Sequence, residues 1–179
     1  MLYRYSLLVL LFFTLGSSIS FSQLPEKWLG HYVGELSSVN LKGNTTQFHM
    51  ELIISERSDS TYHFTIIYGD VDDSLRQERA YQLIPTSSSR FLLDEKNGIV
   101  LDMSLGNDRL VSVFEVNDNL LHVSYIKTKK GIRFELTSSV LTKITGGNTT
   151  DQGEEIPEVQ SYSTVSFQYA NLKLSKKRK

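Results

Sequence analysis

The stretch from Arg90 to Leu141 constrains this chain most, because its short apolar and β-branched runs are broken by clusters of Asn, Asp, Lys and Gly. The clusters are Lys96-Asn97-Gly98, Gly106-Asn107, Asp118-Asn119 and Lys129-Lys130-Gly131. Asn, Asp and Gly reach positive φ cheaply, and the twist of a tight hairpin needs that backbone geometry. Successive strands joined in this way predict an antiparallel meander.

Side chains alternate across a strand, so turn length fixes which residues share a face. A three-residue loop at Lys96-Asn97-Gly98, with Gly98 left-handed, puts Phe91, Leu93, Ile99, Leu101 and Met103 on one face. A turn at Gly106-Asn107 then pairs Met103 with Leu110, Leu101 with Ser112 and Ile99 with Phe114. A turn at Asp118-Asn119 pairs Phe114 with Val123, Val116 with Leu121 and Ser112 with Tyr125. The last turn aligns Tyr125 with Phe134 and Val123 with Leu136. The inner face holds no charge and no histidine in this register. The outer face collects Glu115 against His122, with Arg109, Lys127, Arg133 and Glu135.

Residues 24–85 repeat the pattern. Tyr32, Gly34 and Leu36 alternate with His31, Val33 and Glu35; Phe48, Met50, Leu52 and Ile54 with His49, Glu51 and Ile53; Tyr62, Phe64, Ile66 and Tyr68 with His63, Thr65 and Ile67. A longer acidic loop, Gly69 to Ser74, precedes a strand from Arg79 to Ile84. About nine short strands and no convincing helix predict an all-β fold. Nearly uninterrupted hairpins favour an up-and-down barrel over a two-sheet sandwich.

Residues 1–22 read as a secretory signal, with Arg4, the apolar run from Ser6 to Gly16, and Ser20-Phe21-Ser22 before Gln23. That apolar run is too short to span a bilayer, which takes about 20 residues. The expected location is therefore periplasmic or secreted. The chain has no cysteine, so packing alone must hold an exported core. A net charge of -1 argues against a nucleic-acid or membrane-surface role. Residues 23–145 form the expected barrel domain and 146–160 a polar linker. The segment 161–179 regains alternation and is expected to dock on the barrel as an edge strand, ending in the basic tail Lys176-Lys177-Arg178-Lys179.

The exported start, Trp28 and Gly30 at the head of the first strand, and the meander after them resemble the calycin superfamily of lipocalin-like barrels. The resemblance covers about residues 25–142. It implies an antiparallel barrel of about 8–10 strands that can take a small hydrophobic ligand, with Trp28 plugging the closed end.

No motif assigns a reaction. Asp70 to Tyr81 opens like a calcium loop but has Leu75 where the turn glycine belongs and Tyr81 where the closing Glu belongs. His49-Met50-Glu51 lacks the Cys pair of a zinc deaminase. Asn44-Thr45-Thr46 and Asn148-Thr149-Thr150 are acceptor sequons, which matter only in a glycosylating host. The expectation is a non-enzymatic chain with no catalytic residue, metal or cofactor. The candidate ligand residues are the inward aromatic and polar side chains: Tyr32, Tyr62, Phe64, Tyr68, Arg79, Tyr81, Ser112, Phe114, Tyr125 and Phe134. Hydroxyls and a guanidinium among apolar rings suit a small hydrophobic or amphipathic ligand with one polar end. The other function class is a protein-interaction or inhibitor module of the cell envelope with a filled barrel. Neither class involves nucleic acid or a membrane span.

Overall fold

The computed structural model describes residues 23–147, 150–151 and 154–175. The expected signal segment, the basic tail and Asn148 lie outside the described residues. Among the described residues a single 3-10 turn, Glu26–Trp28, leads into twelve strands: β1 (Gly30–Asn40), β2 (Thr45–Glu56), β3 (Tyr62–Tyr68), β4 (Gln77–Ser87), β5 (Arg90–Asp94) and β6 (Val100–Gly106); then β7 (Arg109–Val116), β8 (Asn119–Lys127), β9 (Gly131–Thr145), β10 (Thr150–Asp151), β11 (Glu154–Glu155) and β12 (Val159–Leu174). Strands β1 to β9 form an antiparallel meander, and β12 lies between β9 and β1 to close a ten-stranded barrel. Closure leaves the barrel wall no free edge, which solves the main hazard of an all-β chain.

The expected inner faces are observed except at the rim of the barrel, where Ile99 and Val116 are exposed. Tyr32, Leu36, Met50, Leu52, Ile54, Phe64, Phe91, Met103, Leu110, Tyr125 and Phe134 are buried in one cluster. The three-residue loop at Lys96–Gly98 holds, with Leu93 opposite Leu101 and Gly98 at φ 97°. Tyr125 faces Phe134 and Val123 faces Leu136 as expected.

Two turns move by one residue. Both central positions of the β6–β7 turn are Asn107 and Asp108, at φ 48° and 61°; those of the β7–β8 turn are Asn117 and Asp118, at φ 49° and 62°. A tight two-residue turn of this kind needs positive φ at both central residues, and the Asn-Asp pairs supply it. Leu105 therefore faces Leu110, Phe114 faces Leu121, and Ser112 faces Val123. Sliding a two-residue turn by one position shifts each partner by two, so every side chain keeps its face. His122 consequently lies opposite Val113, and Glu115 opposite Leu120, correcting the expected Glu115–His122 pair.

The strand Val159–Leu174, within and just before the segment expected to dock, is no edge addition. β12 pairs with β9 from Lys173–Gly131 to Val159–Thr145, and with β1 from Leu174–Tyr32 to Ser166–Asn40. Ala170 and Leu172 enter the core, while Phe167 and Tyr169 face outward and are partly exposed. Gly131 permits the close approach of β9 and β12, since a Cβ there would lie 1.9 Å from the Leu172 carbonyl oxygen. Beyond the last partners on β8 and β1, Val140 and Ser166, the β9–β12 pair continues as a two-stranded arm. Leu141, Ile144, Val159 and Tyr162 are exposed along it.

One barrel end is plugged. Trp28 is fully buried there, and the Tyr32 hydroxyl donates to the Trp28 carbonyl at 3.0 Å. Tyr62 accepts the Leu24 backbone N–H at 2.9 Å. Lys127 was expected on the outer face, but it continues the inward series Leu121, Val123, Tyr125. Its Nζ lies 4.8 Å from the Tyr32 ring centre and donates to the Tyr32 hydroxyl at 3.2 Å. Burial lowers the Lys127 ammonium below the ordinary lysine value; neighbouring Lys27 adds to this and Asp108 opposes it.

Candidate functional site

The other end, ringed by the turns β1–β2, β3–β4, β5–β6 and β7–β8, opens into the barrel. A cavity of about 90 Å³ lies there, walled by Ile66, Leu93, Leu101, Met103, Val123 and Leu136 among others, with Arg79, Glu95, Tyr81 and Tyr125 as its titratable side chains beside Tyr68. Seven of the ten candidate residues line it: Tyr68, Arg79, Tyr81, Ser112, Phe114, Tyr125 and Phe134. A groove of about 380 Å³ adjoins it under the β3–β4 loop, lined by Phe48, Tyr68, Gly69, Asp73, Leu75, Gln77, Arg79 and Gln168. Tyr68 and Arg79 belong to both spaces.

The remaining three candidates lie elsewhere. Tyr32 and Tyr62 sit at the plugged end, where their hydroxyls are taken by the backbone contacts described above. Phe64 is fully buried beneath the cavity, its ring 5.2 Å from Tyr125 in edge-to-face contact. Inward alternation alone could not separate these from the mouth residues, because it reports face and not depth. Glu95 was missed altogether. The series Phe91, Leu93, Glu95 carries the inward face one residue past the end of β5, and that alternation was the available signal.

The Arg79 guanidinium lies 5.5 Å from the Tyr68 ring centre, and its Nη2 donates to Gln77 Oε1 at 3.4 Å. Burial works against its charge, but the Tyr81 hydroxyl, with Tyr68 and Glu95, outweighs that and raises Arg79 above its ordinary value. Burial pushes the Tyr68 phenol up to about 12 although Arg79 pulls it down. The Tyr125 phenol is pushed well above its ordinary value, again chiefly by burial. Burial thus works against ionisation of the Tyr68 and Tyr125 phenols, in a mouth that also carries the Arg79 guanidinium and the Glu95 carboxylate. Ser112 donates to the Asp102 carbonyl at 2.7 Å and is already partnered.

The histidines face outward. His49 Nε2 lies 3.4 Å from Glu51 Oε1, and His31 contacts the other oxygen of Glu51, all on the outer wall of β1 and β2. Among the described residues no group of three or more His, Asp or Glu side chains is arranged to hold a metal ion. Among them too, no helix is long and apolar enough to cross a membrane.

No family model and no curated protein matches the chain. Among solved structures, a protein of unknown function from the DUF3598 family of Nostoc punctiforme superposes with a TM-score of 0.57 at 11% identity, over 86% of this chain and 50% of that one. The chain thus spans half the length of that protein. The S-type phycobiliprotein lyase CPES from Guillardia theta superposes with a TM-score of 0.54 at 10% identity, over 86% of this chain and 91% of the lyase. At such identities the likeness is one of fold. It nevertheless overturns the expectation of a non-enzymatic chain. That expectation rested on the lack of a recognisable acid, base or nucleophile set, and a protein with this barrel is a lyase by name.

Proposed function

We propose that the open end binds a small amphipathic molecule with an anionic or hydroxyl-bearing end, seated across Arg79. The observation that carries this reading is the sharing of Tyr68 and Arg79 between an apolar cavity and the larger groove at the mouth. The cavity admits a side-chain-sized apolar portion, since whole ligand pockets run to about 300–1,000 Å³. The groove gives the rest of the molecule room beside Phe48 and Leu75. The ten-stranded meander supports placing the chain among the lipocalin-like calycins, and the likeness to a phycobiliprotein lyase supports small-molecule handling together with a protein partner. The exposed apolar residues of the β9–β12 arm favour a protein partner as a second role of the same chain.

Titration with an anionic naphthalene-sulfonate probe and its neutral analogue tests the pocket. Arg79→Met should weaken the anion about tenfold or more, the loss of a charge-assisted contact, and leave the neutral probe nearly unchanged. Equal binding of both probes by the variant and the parent would remove Arg79 from the reading. The site is also proposed to work outside the cytoplasm. Sequencing the mature protein from its own host should find Gln23 first, and an intact Met1 would refute export by cleavage.

A further inference from the structure

Resting on the ligand reading above, we infer that Glu95 is a second polar anchor, and that the ligand head carries an N–H donor beside its anion. Glu95 and Arg79 wall the same cavity, yet no ion pair within 4 Å joins them among the described residues. The cation next to Glu95 in sequence does not neutralise it. Lys96 Nζ donates to Asp94 Oδ2 at 2.8 Å and to Gln82, both on the outer face. Glu95 is held instead by Asn97, whose Nδ2 donates to Glu95 Oε2 at 3.2 Å. Among the described residues no side chain donates to its Oε1. A carboxylate accepts only, and a guanidinium donates only. Between them fits a head group with the opposite pair of functions, an anion facing Arg79 and an N–H facing Glu95. Leu93, Leu101 and Phe114 supply apolar walls beside both groups. A plain fatty acid satisfies Arg79 and leaves Glu95 Oε1 without a donor. An N-acylated or N-sulfonylated amino acid satisfies both.

Dansylglycine and dansylsarcosine make the test, since both carry a carboxylate and the same ring system but only the first keeps the sulfonamide N–H. Fluorescence titration of the full chain should show dansylglycine binding about tenfold tighter, the usual worth of one hydrogen bond to a charged group. Glu95→Leu should erase that preference, and Glu95→Gln, which keeps an acceptor oxygen, should retain part of it. Arg79→Met should weaken both probes together. Circular dichroism establishes that each variant is folded. Equal affinity of the parent for the two probes, or a preference that survives Glu95→Leu, overturns the role of Glu95 while leaving the Arg79 pocket standing. Failure of the folded parent to bind either probe overturns the pocket as well.

Discussion

The two ends of the barrel are built from the same ten strands and hold opposite kinds of polar group. At the plugged end the tyrosine hydroxyls are tied down: Tyr32 to the Trp28 carbonyl and Lys127, Tyr62 to the Leu24 amide. At the mouth Arg79 and Glu95 face a cavity, and the phenols of Tyr68 and Tyr125 are held neutral by burial. Buried polar groups with partners lock one conformation, whereas Arg79 and Glu95, each bonded to a side chain two residues away, keep capacity to meet something else. The contrast separates residues that hold the barrel from residues that receive a ligand, although both sets point inward.

The largest expected effect breaks the comparison by size. Trp28→Ala should cost about 3–5 kcal/mol, as for other fully buried large side chains, whereas Phe114→Ala at the half-buried mouth should cost well under that. Urea denaturation of the two variants checks it, and similar losses would mean that the mouth is as tightly packed as the plug.

The next effect is alkaline. An unfolded tyrosine ionises near 10, and Tyr68 ionises at about 12 in the fold. Below pH 10 both states keep the proton and nothing changes. Between pH 10 and 12 only the unfolded state loses it, so stability falls as pH rises, by up to about 2.7 kcal/mol for this one group. Tyr125, raised in the same direction, adds to the fall. Stability measured across this range should flatten in Tyr68→Phe and in Tyr125→Phe. Absorbance at 295 nm should show both phenols ionising late.

Smaller effects sharpen the contrast. Tyr32→Phe removes one buried hydroxyl that lies within hydrogen-bond distance of the Lys27, Trp28 and Leu29 carbonyls and of Lys127 Nζ, and should cost about 1 kcal/mol. Arg79→Met, at the exposed rim, should stay within about 0.5 kcal/mol of the parent, since surface changes of this kind seldom exceed that. A marked loss from Arg79→Met would make the guanidinium part of the scaffold.

Much of this was legible in the sequence because a hairpin is a local object. The inner faces of β1 to β9 follow from alternation, and the loop at Lys96–Gly98 from its composition. The turns around Asn107 and Asn117 were each placed one residue away, since three turn-forming residues in a row leave the window open. Parity survived because two-residue turns slide in steps that preserve it. Lys127 was misplaced against that same parity, which its position two residues after Tyr125 already indicated. β12 resisted for a different reason. Bulges between Ser161 and Tyr162, and between Thr164 and Ser166, reset its faces, and its partner β1 lies at the far end of the chain. Depth along the barrel axis has no sequence period, so the candidate residues could be sorted by face but not by end.

Closure by the last strand also sets a timetable for biogenesis. A chain emerging vectorially, from a ribosome or through a translocation channel, presents β1 long before β12 exists, so one edge of β1 and one of β9 wait unpaired. Closing over so long a separation is slow compared with zipping the hairpins between them. During that interval the incomplete sheet has two sticky margins and a half-exposed apolar face, the state in which β-proteins aggregate. The newborn protein is therefore expected to need shielding until its final sixteen-residue strand arrives. Truncation before Val159 should produce inclusion bodies and not a smaller barrel.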